Sequence, residues 1–311
     1  MNRQATTAPP KPVTRPSLGE LNLSTGKKAR LYRILYEHGC RNGTILALPI
    51  DQGLEHGPID FFPNPDAADP NFQFTLAIEG GYNAIACQVG LAERYYPKYA
   101  GKIPLILKLN GRTNIPPSDE AFSPCHASVE DAVRLGADAV GYTFYVGSPR
   151  QTDDFIQVGR IRQDCEKYGM PLVVWAYPRG RFVETKGGRD SLYAVDYAAR
   201  VAREIGADVV KLNIPKRGEK DKEMPKPYDA LDLDYEEGAR KVVASAQATP
   251  VLVSGGSKIS DEDLLEKARA AMRAGATGLI FGRNMWQRPM DKAMEMTGRI
   301  KEVLEEFPSE P

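Results

Sequence analysis

Histidine and cysteine are scarce in this 311-residue chain: three of the first (His38, His56, His126) and four of the second (Cys40, Cys87, Cys125, Cys165). The cysteines form no CxxC and no paired spacing, and no histidine has metal-ligand spacing. Neither a disulfide framework nor a structural zinc site is expected, and no metal or other cofactor. Scattered thiols of this kind suit a reducing compartment, so the expected location is cytoplasmic. Net charge is missing as well, since 41 Lys and Arg stand against 41 Asp and Glu. That balance argues against a nucleic-acid partner held by a global positive field, yet leaves room for a local basic pocket around a small anion. No run of about 18 apolar residues occurs, so no membrane association is expected. Residues 1–16 carry Arg, Lys, Thr and Pro where a secretory signal has its apolar centre, and they read as a flexible tail.

What the chain does have is apolar material, 42% of its residues, enough for a sizeable core and too much for a disordered chain. After a first helix near 27–38, eight short runs rich in Val, Ile and Leu fall at 44–50, 83–88, 104–109, 139–143, 171–175, 208–212, 250–254 and 277–281. Each is bounded by Gly or Pro, as strands buried on both faces are. Helical spacing fills most of the gaps, most clearly at 128–135, 155–168, 191–205, 235–246 and 261–274. A weak repeat fixes the phase: Leu135-Gly136-Ala137-Asp138, Ile205-Gly206-Ala207-Asp208 and Ala274-Gly275-Ala276-Thr277 each end a helix and open a strand, with Glu79-Gly80-Gly81-Tyr82 a looser copy. Alternating βα units with eight strands predict a (β/α)8 TIM barrel in one domain over 26–307, with an N-terminal extension (a tail over 1–25) and a short C-terminal tail, 308–311. No Gly-x-Gly-x-x-Gly follows the first strand, which counts against a dinucleotide-binding sheet. Three connections exceed what a barrel needs, 53–71, 111–126 and 213–234, and all three follow strand ends on the face where barrels work. The third carries Lys216, Arg217, Lys220, Lys222 and Lys226 and reads as a solvated loop or a lid.

The strand ends of a barrel deliver side chains into one pocket. The last two here, Ser254-Gly255-Gly256 and Gly282-Arg283-Asn284, lie where barrel folds bind phosphate through backbone N–H groups, and Arg283 adds fixed charge. The alternative for the first is a plain tight turn. Lys211 interrupts an apolar strand, where a lysine must lose water or find a partner. Alternation puts Val209, Lys211 and Asn213 on one face, Trp175 with Tyr177 on another, and Lys108 with Asn110 on a third. A lysine beside another cation in a partly dry pocket has a lowered pKa and a free amine that attacks a carbonyl. The other reading of Lys211 is a structural lysine paired with Asp51. Tyr177 is an acid/base group or a core tyrosine, Trp175 a packing wall, and Asp51 a site acid or the cap of the following turn. Glu55 and His56 are open between acid/base work and loop hydrogen bonding.

The segments Asp51-Gln-Gly-Leu-Glu-His-Gly-Pro58, Val173-Val-Trp-Ala-Tyr-Pro-Arg-Gly180, Val209-Val-Lys-Leu-Asn213, Ser254-Gly-Gly256 and Gly282-Arg-Asn284 resemble the archaeal-type (DhnA-type) class I fructose-1,6-bisphosphate aldolases, in order and in register over roughly 31–307. The resemblance implies a metal-free lyase of a phosphorylated sugar that assembles into large homo-oligomers. It puts the Schiff-base lysine on Lys211, the acid/base tyrosine on Tyr177, a pocket tryptophan on Trp175, the first-strand acid on Asp51, and the phosphate loops on Ser254-Gly255-Gly256 and Gly282-Arg283. Lys108 is a further substrate-binding candidate, and Lys108, Arg112, Arg179 and the charged third loop are open for the 6-phosphate. Gln52 departs from the histidine many members carry there. The alternatives are a related Schiff-base enzyme acting on another phosphorylated ketose, an isomerase barrel with no covalent step, and a non-catalytic scaffold.

Overall fold

The computed structural model describes residues 15–216, 224–256 and 258–310. Eight strands close into a parallel barrel: β1 Ile45–Pro49, β2 Ala84–Gln88, β3 Leu105–Lys108, β4 Ala139–Val146, β5 Leu172–Pro178, β6 Val209–Leu212, β7 Val251–Ser254 and β8 Gly278–Ile280. Each pairs with the next, and β8 returns to β1. All eight apolar runs became strands, because a parallel strand buried on both faces needs continuous branched apolar residues. The (β/α)8 barrel is therefore the fold. Two strands outrun their expected ends: β4 and β5 continue through Tyr145 and Tyr177, which pair with each other across the sheet. Aromatic and polar residues at strand ends carry no apolar signal, so the sequence pattern stops short of them.

Helices join the strands where helical spacing placed them. Tyr235–Ala246 matches its expected bounds, and Val129–Arg134, Leu192–Glu204 and Asp261–Arg273 match to within a residue or two. The starts are chemical. Ser128 and Asp234 form reciprocal capping boxes with Asp131 and Glu237, and Ser260 accepts from Asp263 N at 3.1 Å. Helix Gln151–Tyr168 begins four residues before its apolar pattern does, because its first turn is polar and places Asp153 and Asp154 at the positive helix end. The repeated glycines at 136, 206 and 275 adopt φ of +68°, +89° and +94°, the left-handed turn expected between each helix and the next strand. Among the described residues no helix is long and apolar enough to cross a membrane.

The core lies in two places. The larger one separates the outer barrel face from the helices. The smaller fills the lower barrel with Ile45, Ala47, Ala84, Ile106, Val173 and Val209, and it is closed from below by Leu18, Leu21, Leu31, Ile34 and Leu35. Leu18 and Leu21 fall within the tail expected over 1–25, yet each is only 7% exposed. From residue 18 onward the N-terminal segment is thus the floor of the barrel. The first helix, Thr25–Tyr32, passes into a wider π-turn at Arg33–Glu37, which the 3.6-residue pattern could not show. Asn83 satisfies the backbone there, its amide donating to the carbonyls of Ile34 (2.6 Å), His38 (2.9 Å) and Thr44 (3.0 Å). Lys27, 1% exposed, ties the helix to the barrel through Glu166 and through Asp208 at 2.8 Å.

Of the long connections, 53–71 folds into short turns that dock on the segment after β8, with Asn64 donating to the carbonyls of Trp286 (2.9 Å) and Arg288 (2.8 Å). The segment 111–126 is tied down by a bridge between Asn110 and Cys125. Of the third, Arg217, Lys220 and Lys222 lie outside the described residues.

Candidate active site

Two lysines enter the barrel interior on strands with the same ending, Lys-Leu-Asn, at 108–110 on β3 and 211–213 on β6. Their surroundings differ. Lys108 is fully buried, with Nζ 3.2 Å from Glu55 and 3.7 Å from Asp51, and it donates to the carbonyl of Asn110 at 3.1 Å. Burial opposes its charge, but Glu55 and Asp51 more than offset that and hold its pKa above the usual lysine value. Lys211 is 5% exposed, and among the described residues no carboxylate lies within ion-pair distance of it. Burial pulls its pKa down to about 8, Lys108 and Arg283 push the same way, and Asp51 and Glu55 oppose them only in part. The ion pair with Asp51 that the sequence left open for Lys211 is made by Lys108 instead. Nor does Asp51 cap the turn that follows: its side chain makes no capping bond.

Trp175 stands between these groups. Its ring centroid is 5.4 Å from Lys108 Nζ and 5.1 Å from Lys211 Nζ, and Tyr177 lies 5.3 Å from Lys211 by the same measure. Burial raises the Tyr177 phenol above the ordinary tyrosine value, with Glu55 and Asp51 adding to it, so Tyr177 is a neutral phenol in the resting site. The room for Trp175 comes from Gly141, which pairs with Lys108 on one side and Val173 on the other. A Cβ there would lie 2.6 Å from Trp175 Cζ3 and 3.0 Å from Lys108 Cδ. Gly141→Ala should therefore displace the indole, destabilising the fold by about 1–3 kcal/mol and lowering turnover together. Thermal unfolding and a cleavage assay on the same preparation check both.

At the end of β7, Ser254 donates its hydroxyl proton to Asn213 Oδ1. Gly255 packs so closely that a Cβ would meet Asn284 Nδ2 at 2.9 Å and Phe281 at 3.0 Å. Gly256 has φ +68° and faces open space. Arg283 bridges the loops after β7 and β8, donating to Gly256 O at 3.3 Å with its Nε 3.9 Å from Asp60. The loops thus combine a free backbone surface with a fixed guanidinium.

The sequence pattern gives no sign of Tyr145, and it leaves the roles of Glu55, Arg112 and Arg179 open. Glu55 reaches back from the turn after β1 to grip Lys108, and nothing in the sequence pairs those positions. Tyr145 sits beside Tyr177, its hydroxyl accepting from Ser123 Oγ at 3.3 Å. Two guanidiniums lie against this pair, Arg112 5.9 Å from the Tyr145 ring and Arg179 5.3 Å from the Tyr177 ring. Arg112 is held by the carbonyls of Pro116 and Pro117 and by Ser118, and Arg179 by the carbonyl of Pro178. His56 ends the short helix Gln52–His56 and is bonded to Asp60 at 2.7 Å.

A family model described as DeoC/LacD family aldolase matches residues 45–288. The class 1 fructose-bisphosphate aldolase of Thermoproteus tenax is 42% identical over 249 residues, which are 80% of this chain and 85% of that one. The fructose-bisphosphate aldolase/6-deoxy-5-ketofructose 1-phosphate synthase of Methanocaldococcus jannaschii is 33% identical, over 84% of this chain and 81% of that one. Among solved structures, an archaeal fructose-1,6-bisphosphate aldolase, with its catalytic Lys covalently bound to the carbinolamine intermediate of the substrate, matches with a TM-score of 0.74 and 38% identity, over 88% of this chain and 98% of that one. The chain therefore belongs to the DeoC/LacD family of aldolases, in the branch of the archaeal class I fructose-bisphosphate aldolases.

Proposed function

We propose that this enzyme cleaves fructose 1,6-bisphosphate reversibly to dihydroxyacetone phosphate and glyceraldehyde 3-phosphate, with Lys211 as the Schiff-base nucleophile. One observation carries the assignment: of two buried lysines in one pocket, Lys108 is held charged by two carboxylates, while Lys211 has none within ion-pair distance among the described residues and a pKa of about 8. Only the second keeps a fraction of its amine free near neutral pH.

The neutral amine of Lys211 adds to the C2 ketone, giving a carbinolamine. Tyr177 gives its proton to the departing hydroxyl, so that water leaves and a protonated imine remains. The tyrosinate, with Lys108 and Arg179 close by, takes the proton of the C4 hydroxyl as the C3–C4 bond breaks, and glyceraldehyde 3-phosphate departs. Tyr177 then protonates the enamine at C3. Water adds to the imine, returning its proton to Tyr177, and dihydroxyacetone phosphate is released. Asp51 assists this proton traffic. Gly255, Gly256, Gly282 and Arg283 take the 1-phosphate, and Arg112 and Arg179 the 6-phosphate across the mouth. Ser254 and Trp175 line the sugar between them. Lys108, a substrate-binding candidate in the sequence, has its ammonium hydrogen-bonded to Glu55 and the Asn110 carbonyl with Asp51 3.7 Å away, and serves as fixed charge.

Incubation with fructose 1,6-bisphosphate and borohydride, followed by peptide mapping, should place a covalent adduct on Lys211. An adduct on Lys108, or none with either fructose 1,6-bisphosphate or dihydroxyacetone phosphate, overturns the assignment. Tyr177→Phe should slow cleavage by on the order of 10²–10⁴-fold, while the adduct still forms on long incubation, with water protonating the departing hydroxyl in place of the phenol. Because the nucleophile is the unprotonated amine, kcat/KM should climb with pH and level off above about 8, the Lys211 pKa; a profile flat from pH 6 to 9 is the contrary result. The large homo-oligomer implied by the resemblance and the cytoplasmic location suited to the scattered thiols belong to the same proposal. Ile59 and Phe62, 69% and 78% exposed, offer apolar surface for it, and light scattering tests it.

A further inference from the structure

A chain of polar side chains crosses the ends of three strands beside the phosphate loops. It starts at Asp190, in the turn after β5 just before the helix Leu192–Glu204. The Asp190 carbonyl accepts from Lys216 N at 2.9 Å, and its Oδ2 lies 3.0 Å from Lys216 Nζ. Its Oδ1 accepts from Asn213 Nδ2 at 3.5 Å. Asn213 stands two residues beyond Lys211, and its Oδ1 accepts from Ser254 Oγ at the start of the phosphate loop.

The polarity of this chain is set at one end. An ionised carboxylate only accepts, so Asn213 must turn its NH₂ group toward Asp190 and its carbonyl oxygen toward Ser254. Ser254 has one proton, and the carbonyl oxygen takes it. The hydroxyl that faces the pocket is then an acceptor.

From this we propose that Asp190 is a positioning residue of the sugar-phosphate site. Through Asn213 it holds Ser254 Oγ as an acceptor for a substrate hydroxyl, and it leaves the phosphate to backbone N–H groups and Arg283. The inference rests on the aldolase reading above and assigns the polarity of one contact within it. Asp190 itself touches no substrate. A bare anion gains nothing from Ser254 so arranged, whereas a hydroxylated carbon chain does.

The test is a double-mutant cycle on fructose 1,6-bisphosphate cleavage, using Asp190→Ala, Asp190→Asn and Ser254→Ala. Asp190→Ala should raise KM about tenfold with kcat within about threefold, the scale of one hydrogen bond to a charged group. Asp190→Asn keeps a carbonyl for Asn213 and should recover most of that KM. On the Ser254→Ala background, Asp190→Ala should change KM less than about twofold. Competitive inhibition by inorganic phosphate should move equally little in Asp190→Ala. The proposal is overturned if the Asp190→Ala loss persists undiminished without the Ser254 hydroxyl, if it lies in kcat and unfolding temperature alone, or if phosphate inhibition weakens as much as substrate binding. Borohydride trapping of dihydroxyacetone phosphate on wild-type Lys211 is run alongside. No adduct sinks the aldolase reading itself, whereas an adduct with an additive cycle sinks only the role of Asp190.

Discussion

Lys211→Met should abolish cleavage, a loss on the order of 10⁴-fold or more, and yet unfold no earlier than the unaltered protein. The first half follows from the nucleophile: methionine fills the space of the lysine stem and offers no amine, so no imine forms and no electron sink exists for the C3–C4 bond. The second half follows from the titration. Lys211 has a folded pKa near 8, below the ordinary lysine value of 10.5. Below pH 8 the amine is protonated in both the folded and the unfolded chain, and the folded state bears the full penalty of a buried cation. Between about 8 and 10.5 the unfolded chain binds more protons, so stability rises with pH and the penalty fades. Methionine carries no such penalty. Its advantage in unfolding temperature should therefore be largest at or below neutral pH and shrink as pH rises. Calorimetry at pH 6.5 and pH 9 measures it, and a variant less stable than the parent at pH 6.5 contradicts the argument.

Lys108→Met should do the opposite to the fold. It leaves Asp51, 2% exposed, and Glu55 facing one another without the cation between them. Breaking a buried ionic cluster by removing one member destabilises by roughly 3–5 kcal/mol. The remaining carboxylates then act on the nearest cation, Lys211. It loses the repulsion of Lys108 and keeps the attraction of both acids, so its pKa rises and the fraction of free amine at neutral pH falls further. Cleavage at pH 7 should fall by on the order of 10²-fold, and raising the pH should restore part of it, which no treatment does for Lys211→Met. If Lys108→Met eliminates the borohydride adduct while Lys211→Met leaves it, the two lysines have been assigned the wrong way round.

These two variants show where the sequence was legible. Alternation along each strand grouped Trp175 with Tyr177, Lys108 with Asn110 and Lys211 with Asn213 as candidate interior faces, and strand-end position placed Asp51, Ser254 and Arg283 at the same end. Each inference concerns a single strand and the loop that leaves it. The two Lys-Leu-Asn endings are identical at that level, and nothing within either strand says which lysine is charged. That distinction depends on Glu55, more than fifty positions away in sequence from Lys108 and 3.2 Å away in space. Gly141 was invisible for a similar reason. A glycine in an apolar strand looks unremarkable until the register sets it against an indole on the neighbouring strand. Tyr145 fell beyond the apolar run that marked its strand, and the burial of Leu18 and Leu21 needs the barrel floor to exist first. Periodicity reports which way a side chain points, and only closure of the sheet reports what it meets.

The leucine-lined floor makes the barrel a vessel with one opening. Fructose 1,6-bisphosphate enters and both three-carbon products leave by the mouth where the long loops stand. With Lys211 as the proposed nucleophile, the ketone half stays tethered deep in that vessel after bond cleavage, and the aldehyde half would lie between it and the solvent. Product release is thereby sequential, aldehyde first and ketone second. In the synthetic direction the same architecture imposes the reverse queue, with dihydroxyacetone phosphate loaded before the aldehyde that will close over it.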